Sequence, residues 1–115
     1  MPKGVKMEKY RPKIHFSAED YIINDPNGLV DYKGEYHLFH QYNINEQIYW
    51  GHAVSKDLVH WKRLPKAIAP DKIGQIWSGS AVVDEENQRM VAFFTYSEHE
   101  TKRQSQGVAF SYDKG

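Results

Sequence analysis

At 115 residues the chain is long enough for one small domain with a modest core and too short for a large enzyme with a deep, enclosed site. Fifteen basic and fifteen acidic residues cancel, so the net charge gives no reason to expect nucleic acid or an anionic membrane as partner, and an uncharged ligand fits as well as any. The absence of cysteine excludes disulfides, thiolate metal sites and a cysteine nucleophile.

From the amino terminus onward, Met1 to Lys9 is charged and lacks the apolar stretch of a signal peptide, and no later apolar run could span a bilayer. The expectation is a soluble, cytoplasmic protein, or an extracellular one if a leader has been removed. Apolar residues rarely recur at helical spacing. Short runs of β-branched and aromatic residues bounded by Gly, Asn, Asp or Pro dominate instead, which predicts an all-β fold. The expected strands run over residues 28–32, 35–42, 49–55, 60–64, 76–83, 89–97 and 107–112. Lys33-Gly34 reads as a tight hairpin, and Asp84 to Gln88 as a polar turn. Ser55 to Trp61 reads as a turn entering a strand, after which Pro65 and Pro70 confine the chain to an edge or a connection. Short strands with regular turns suit a sandwich, a barrel or a propeller. Two units are proposed, about 28–64 and about 76–115, the second cut off after Tyr112.

Asn24-Asp25-Pro26-Asn27-Gly28 is first of all a strong β-turn sequence, with Asp at a corner, Pro presetting the next φ and Gly accepting positive φ. Pro26 also disfavours the helical region for Asp25 and keeps it extended. An extended carboxylate at a strand start, held by a turn, points in a fixed direction, as a carboxylate nucleophile must. Asn24 beside it can hydrogen-bond a sugar hydroxyl or the carboxylate.

Four segments in order carry a resemblance: Ile22 to Val30 around that motif, Gly34 to Asn43 (Gly-Glu-Tyr-His-Leu-Phe-His-Gln-Tyr-Asn), Trp50 to Trp61 (Trp-Gly-His-Ala-Val-Ser-Lys-Asp-Leu-Val-His-Trp), and Trp77-Ser78-Gly79-Ser80-Ala81. Together they resemble glycoside hydrolase family 32, which includes invertases, levanases, inulinases and sucrose-6-phosphate hydrolases. The resemblance implies the N-terminal blades of a five-bladed β-propeller whose funnel binds a terminal fructosyl unit. It implies retaining hydrolysis of β-fructofuranosyl linkages in sucrose or fructans by the complete enzyme, with no cofactor. It carries the nucleophile onto Asp25 with Asn24 alongside, sugar contacts onto Gln41 and Ser78, an aromatic sugar-facing position onto Trp77, and a pocket-wall position onto Trp50.

Several positions depart from the family pattern. Ile22 stands where the family usually has Trp, so a stacking surface is either missing or supplied by another residue such as Tyr21, and the stretch Asn43 to Tyr49 is shorter than the family's loop and lacks its substrate-facing Trp-Gly. The family's Arg-Asp-Pro motif and the Glu-Cys motif that holds the acid/base have no counterpart. Glu98 and Glu100 lie in a polar loop outside any matching motif. The chain alone is therefore expected to be an inactive fragment that self-associates or pairs with further blades.

The six histidines lack metal-ligand spacing, so no metal site is expected; His52 and His60 read as structural hydrogen-bonding groups and Trp61 as core. Two other functions stay open: a propeller glycosidase for arabinose, xylose or mannose linkages, and a non-catalytic carbohydrate-binding remnant.

Overall fold

The computed structural model describes residues 16, 17 and 22–115, the side chains of residues 22 and 23 excepted. Seven strands follow in order: β1 (Ile22–Tyr32), β2 (Glu35–Ile44), β3 (Gln47–Ser55), β4 (Lys62–Ile68), β5 (Gly74–Asp84), β6 (Arg89–Glu98) and β7 (Gln104–Ser111). They form two antiparallel sheets, β1-β2-β3-β4 and β5-β6-β7. Each sheet is ordered as the chain runs, outward from its first strand, and the first strands β1 and β5 pack against each other. These are blades of a β-propeller, and the seven strands do not close a ring.

All seven expected strands are present, and the differences lie at their ends. Lys33 (φ 51°) and Gly34 (φ 81°) make the expected two-residue hairpin with positive φ at both positions. Asn45 (φ 51°) and Glu46 (φ 62°) make a second one, with Ile44 paired to Gln47. The segment 43–48, expected as a connection between strands, is thus continuous ladder plus a tight turn. β4 begins at Lys62 rather than residue 60, because the preceding backbone is held elsewhere. The Asp57 carboxylate accepts from the backbone N–H of Val59 at 2.9 Å and of His60 at 2.8 Å, and its other oxygen lies 2.7 Å from His60 Nδ1. The His60 side chain, then the His60 and Val59 backbone groups, hold this carboxyl well below the usual carboxylate range. Pro65 sits in β4 at the outer edge of its sheet, where the ladder with β3 slips between Trp50 and His52. Trp61, expected in the core, is only half-buried; its indole donates to the Leu58 carbonyl at 3.1 Å, and its ring meets Phe16.

The core lies between the sheets. Tyr32, Phe39 and Trp50 of the first meet Ile76, Met90 and Phe94 of the second, all buried. On the other face of the second sheet Val82, Phe93, Val108 and Phe110 stay about half exposed, beside the unpaired outer edge of β7.

Gly28 explains how closely the sheets approach. Its φ is not positive, contrary to the turn reading. What the position requires is the missing side chain: a Cβ there would lie 2.7 Å from the Ala81 Cβ and 2.8 Å from the Ala81 backbone nitrogen in β5. Backbone cannot rotate aside, so any side chain at position 28 drives the inner strands apart.

Two histidines are buried at the margin of the core. His37 Nδ1 and His52 Nε2 are 2.9 Å apart with their rings stacked, so one ring donates and the other accepts. Glu35 lies 3.5 Å from His37 Nε2, too far for a good hydrogen bond. Burial lowers the pKa of both rings, and together with the neighbouring His37 and His40 it brings His52 down to about 4.

Two outcomes follow. Gly28→Ala is expected to cost about 1–3 kcal/mol of unfolding free energy by urea titration, and an unchanged midpoint would mean that the sheets can spread at no cost. The depressed histidine pKa gives a pH dependence of definite sign: the unfolded chain binds more protons than the fold between the ordinary value 6.5 and about 4, so stability is lost as pH falls through that window. Urea unfolding should show a loss of about 1–2 kcal/mol between neutral pH and pH 5, and His52→Gln should flatten that slope whatever its effect on absolute stability.

Candidate active site

The expected Asp-Pro-Asn-Gly turn does not form. The whole motif lies within β1, and its ladder with β2 breaks register twice: Ile23 pairs with Tyr42, Pro26 with His40 and Gly28 with Phe39. Asn24 and Asp25 together stand opposite Gln41, and Asn27 is an extra residue between paired neighbours. Pro26, without an N–H, is tolerated because β1 is an edge strand and the position is a bulge. The bulges separate the motif's side chains. Asp25 and Asn24 are exposed, whereas Asn27 is buried.

A third bulge lies opposite, in β5. Trp77 pairs with Thr95 and Gly79 with Phe94, leaving Ser78 as the additional residue. Gly79 permits it, since a Cβ there would fall 1.8 Å from the Phe93 carbonyl oxygen. The facing irregularities of β1 and β5 bring three expected residues together. Gln41 Nε2 donates to Ser78 Oγ at 2.7 Å, and Ser78 Oγ donates to Asp25 Oδ2 at 2.6 Å. The direction of this chain is fixed: the Gln41 amide nitrogen can only donate, so the single Ser78 proton is left for Asp25. Gln41 is 8% exposed and Ser78 half-buried, so the donors are shielded while the carboxylate faces solvent.

The remaining expected residues divide. Asn24 is exposed next to Asp25 in the chain, and the Trp77 ring is half-buried, with a buried Nε1 that has no hydrogen-bond partner. Trp50 corrects the sequence reading: it is 0% exposed, packs between Phe39 and Phe94, and donates through Nε1 to the Trp77 carbonyl at 2.7 Å. A ring enclosed in this way is core rather than pocket wall, because the two sheets close over both its faces. Tyr21 and the Ile22 side chain lie outside the described residues. Tyr49 packs edge-on against Tyr42, with the Lys66 ammonium 4.6 Å from its ring centre.

Asn27 reads in the sequence only as a turn residue, and no local signal there points to the buried contacts it makes in the fold. Its amide faces two donors, which orients the oxygen toward them; it then accepts from the Gln41 backbone N–H at 3.1 Å and from Trp50 Nε1 at 3.0 Å. A signal for the bulge at Ser78 was available in the sequence, since Gly79 inside an otherwise strand-like run marks one.

No group of three His, Asp or Glu side chains gathers as a metal site among the described residues. Glu98 is engaged in its own turn, 3.4 Å from Thr101 Oγ1 and 3.9 Å from Arg103 Nε. A groove of about 490 Å³ lies between the outer parts of the sheets, against Ile68, Met90, Ala109 and Phe110, and does not include Asp25. Asp25 stands instead at the open inner edge, where β1 meets β5.

Residues 15–115 match the N-terminal domain of glycosyl hydrolases family 32. Levanase of Bacillus subtilis (strain 168) is 48% identical over 121 residues, taking in 94% of this chain and 18% of the levanase. Invertase of Schizosaccharomyces pombe is 39% identical, over 100% of this chain and 23% of the invertase. The fold is similar to β-fructofuranosidase from Schwanniomyces occidentalis complexed with fructosyl-erythritol (TM-score 0.80, 43% identity, 91% of this chain and 24% of that one). It is likewise similar to exo-inulinase from Aspergillus awamori (TM-score 0.83, 35% identity, 95% and 27%). The chain spans about a fifth of the length of these curated relatives. A match running from residue 15 to residue 115, on the same two-sheet fold, means that the chain belongs to glycosyl hydrolase family 32, within that family's N-terminal domain.

Proposed function

We propose that this chain carries the nucleophile of a retaining glycosidase acting on β-fructofuranosyl linkages in sucrose or fructans. The observation that carries the reading is the donor chain from Gln41 through Ser78 to Asp25, which aims an exposed carboxylate from the inner edge of two blades. The names of the relatives, levanase, invertase, β-fructofuranosidase and exo-inulinase, support the substrate class.

In the proposed reaction an Asp25 oxygen attacks the fructosyl anomeric carbon as the bond to the leaving oxygen breaks. A second carboxyl group protonates that oxygen, and the same group then deprotonates the water that releases fructose from the enzyme. Retention requires this second carboxyl roughly 5–5.5 Å from the first, and we assign it to a blade beyond the seven strands described. Asn24 and the half-buried Trp77 ring are the further contacts for the sugar, through its hydroxyls and its apolar face. The half-exposed apolar face of β5, β6 and β7 is then the seat of the next blade.

The test is hydrolysis of sucrose, levan and inulin by the protein expressed from its own reading frame. Turnover is expected, with the anomeric configuration of the first-formed fructose retained, and Asp25→Asn should reduce kcat by at least about 10³-fold without changing the circular dichroism spectrum. An active Asp25→Asn variant would remove Asp25 from the nucleophile role. The 115-residue chain by itself should show no turnover and should self-associate in sedimentation velocity. Hydrolysis by that chain, or a monodisperse monomer, would contradict those two expectations.

A further inference from the structure

Trp50 and Asn27 are buried, touch no solvent-facing part of the site, and yet close a hydrogen-bonded circuit behind it. The Trp50 indole N–H is shared between the Trp77 carbonyl at 2.7 Å and the Asn27 amide oxygen at 3.0 Å. That carbonyl belongs to the residue immediately before the bulged Ser78. The Asn27 oxygen also accepts the backbone N–H of Gln41, which pairs with Trp50 across β2 and β3 and gives its own side chain to Ser78. Gln41 is therefore held at its backbone by Asn27 and at its amide by Ser78. Ser78 is fixed from behind through the Trp77 peptide. Asn27 itself lies two residues from Asp25 on β1, so the circuit starts and ends at the nucleophile's strand.

We propose that Trp50 and Asn27 are positioning residues for Asp25: the Trp50 N–H and the Asn27 amide set the β5 bulge and the Gln41 backbone, and so determine where Ser78 holds the carboxylate. The inference rests on the reading of Asp25 as nucleophile and goes beyond it. It assigns the catalytic need for this tryptophan to its N–H, a single donor, and not to its ring. A bulge is a soft point in a ladder. Without a donor on the Trp77 carbonyl the backbone at Ser78 can relax toward regular pairing and carry its hydroxyl with it. Attack on an anomeric carbon tolerates little such movement, since a shift on the order of 1 Å costs about 10²-fold in rate.

Trp50→Phe keeps an aromatic ring in the core and removes the N–H, while Asn27→Ala removes the shared acceptor without touching the ring. In the protein expressed from its own reading frame, each is expected to lower kcat by about 10–100-fold with KM for a fructosyl substrate unchanged within about 2-fold. Met90→Ala, a core change at the Val83 end of the β5–β6 ladder and away from the bulge at Ser78, should retain kcat. Adding Trp50→Phe to Ser78→Ala should cost no more than Ser78→Ala alone, because both act through one path. Wild-type kcat in a folded Trp50→Phe or Asn27→Ala variant would overturn the inference. So would a rise in KM at constant kcat, or losses that multiply with Ser78→Ala. If Trp50→Phe does not fold, Asn27→Ala carries the same comparison. An inactive wild type overturns the nucleophile reading and this inference together, whereas an active wild type with unaffected variants overturns this inference alone.

Discussion

The closeness of β1 and β5 is the constraint on which the rest depends. Two sheets normally pack with a full layer of side chains between them, about 10 Å apart. Here the inner strands meet where Gly28 presents no side chain to Ala81, and a Cβ would already overlap backbone. Only at that separation can a hydroxyl on one sheet reach a carboxylate on the other, as Ser78 reaches Asp25 at 2.6 Å. The two residues are 53 positions apart in the chain. Their meeting is a property of how the blades pack, not of either strand.

The second requirement is irregularity in the right places. In an unbroken ladder alternate side chains point to opposite faces, and a one-residue shift reverses every one of them. The bulges in β1 let Asp25 face solvent while Asn27 turns into the protein, and the bulge in β5 frees Ser78 to turn toward β1. Such positions lose ladder hydrogen bonds, so other groups must hold them. The Trp50 indole does this at the Trp77 carbonyl, and the Asn27 amide does it at the Gln41 N–H. The polar interior behind the site is thus a consequence of the bulges that make the site.

Away from the inner edge the chain is an ordinary half-buried sheet protein. Its hairpins follow turn chemistry, with positive φ at Lys33-Gly34 and Asn45-Glu46, and its core is built from aromatic and aliphatic residues of β1, β2, β3, β5 and β6. The His37–His52 pair is the exception. Burial disfavours the charged form of these two stacked imidazoles, which ties the stability of that margin of the core to pH.

Strand identity was legible in the linear chain because it depends on local pattern: β-branched and aromatic runs between turn residues predict all seven strands, and the four motifs identify the family. The grouping of Asp25, Gln41 and Ser78 was legible only through that resemblance, since nothing in their spacing brings them together. Three features needed the folded chain. Asp-Pro-Asn-Gly has the composition of a turn and becomes a doubly bulged strand, because pairing with β2 and packing on β5 outweigh a local preference. Gly28 serves closeness between sheets and not a positive φ, a distinction that local sequence cannot make. Trp50, which by its motif could have faced a ligand, is enclosed because the second sheet closes over it. Local preference is a matter of a few neighbouring residues and can be read from them; which face of a strand is covered, and by what, depends on a sheet assembled from residues some tens of positions away.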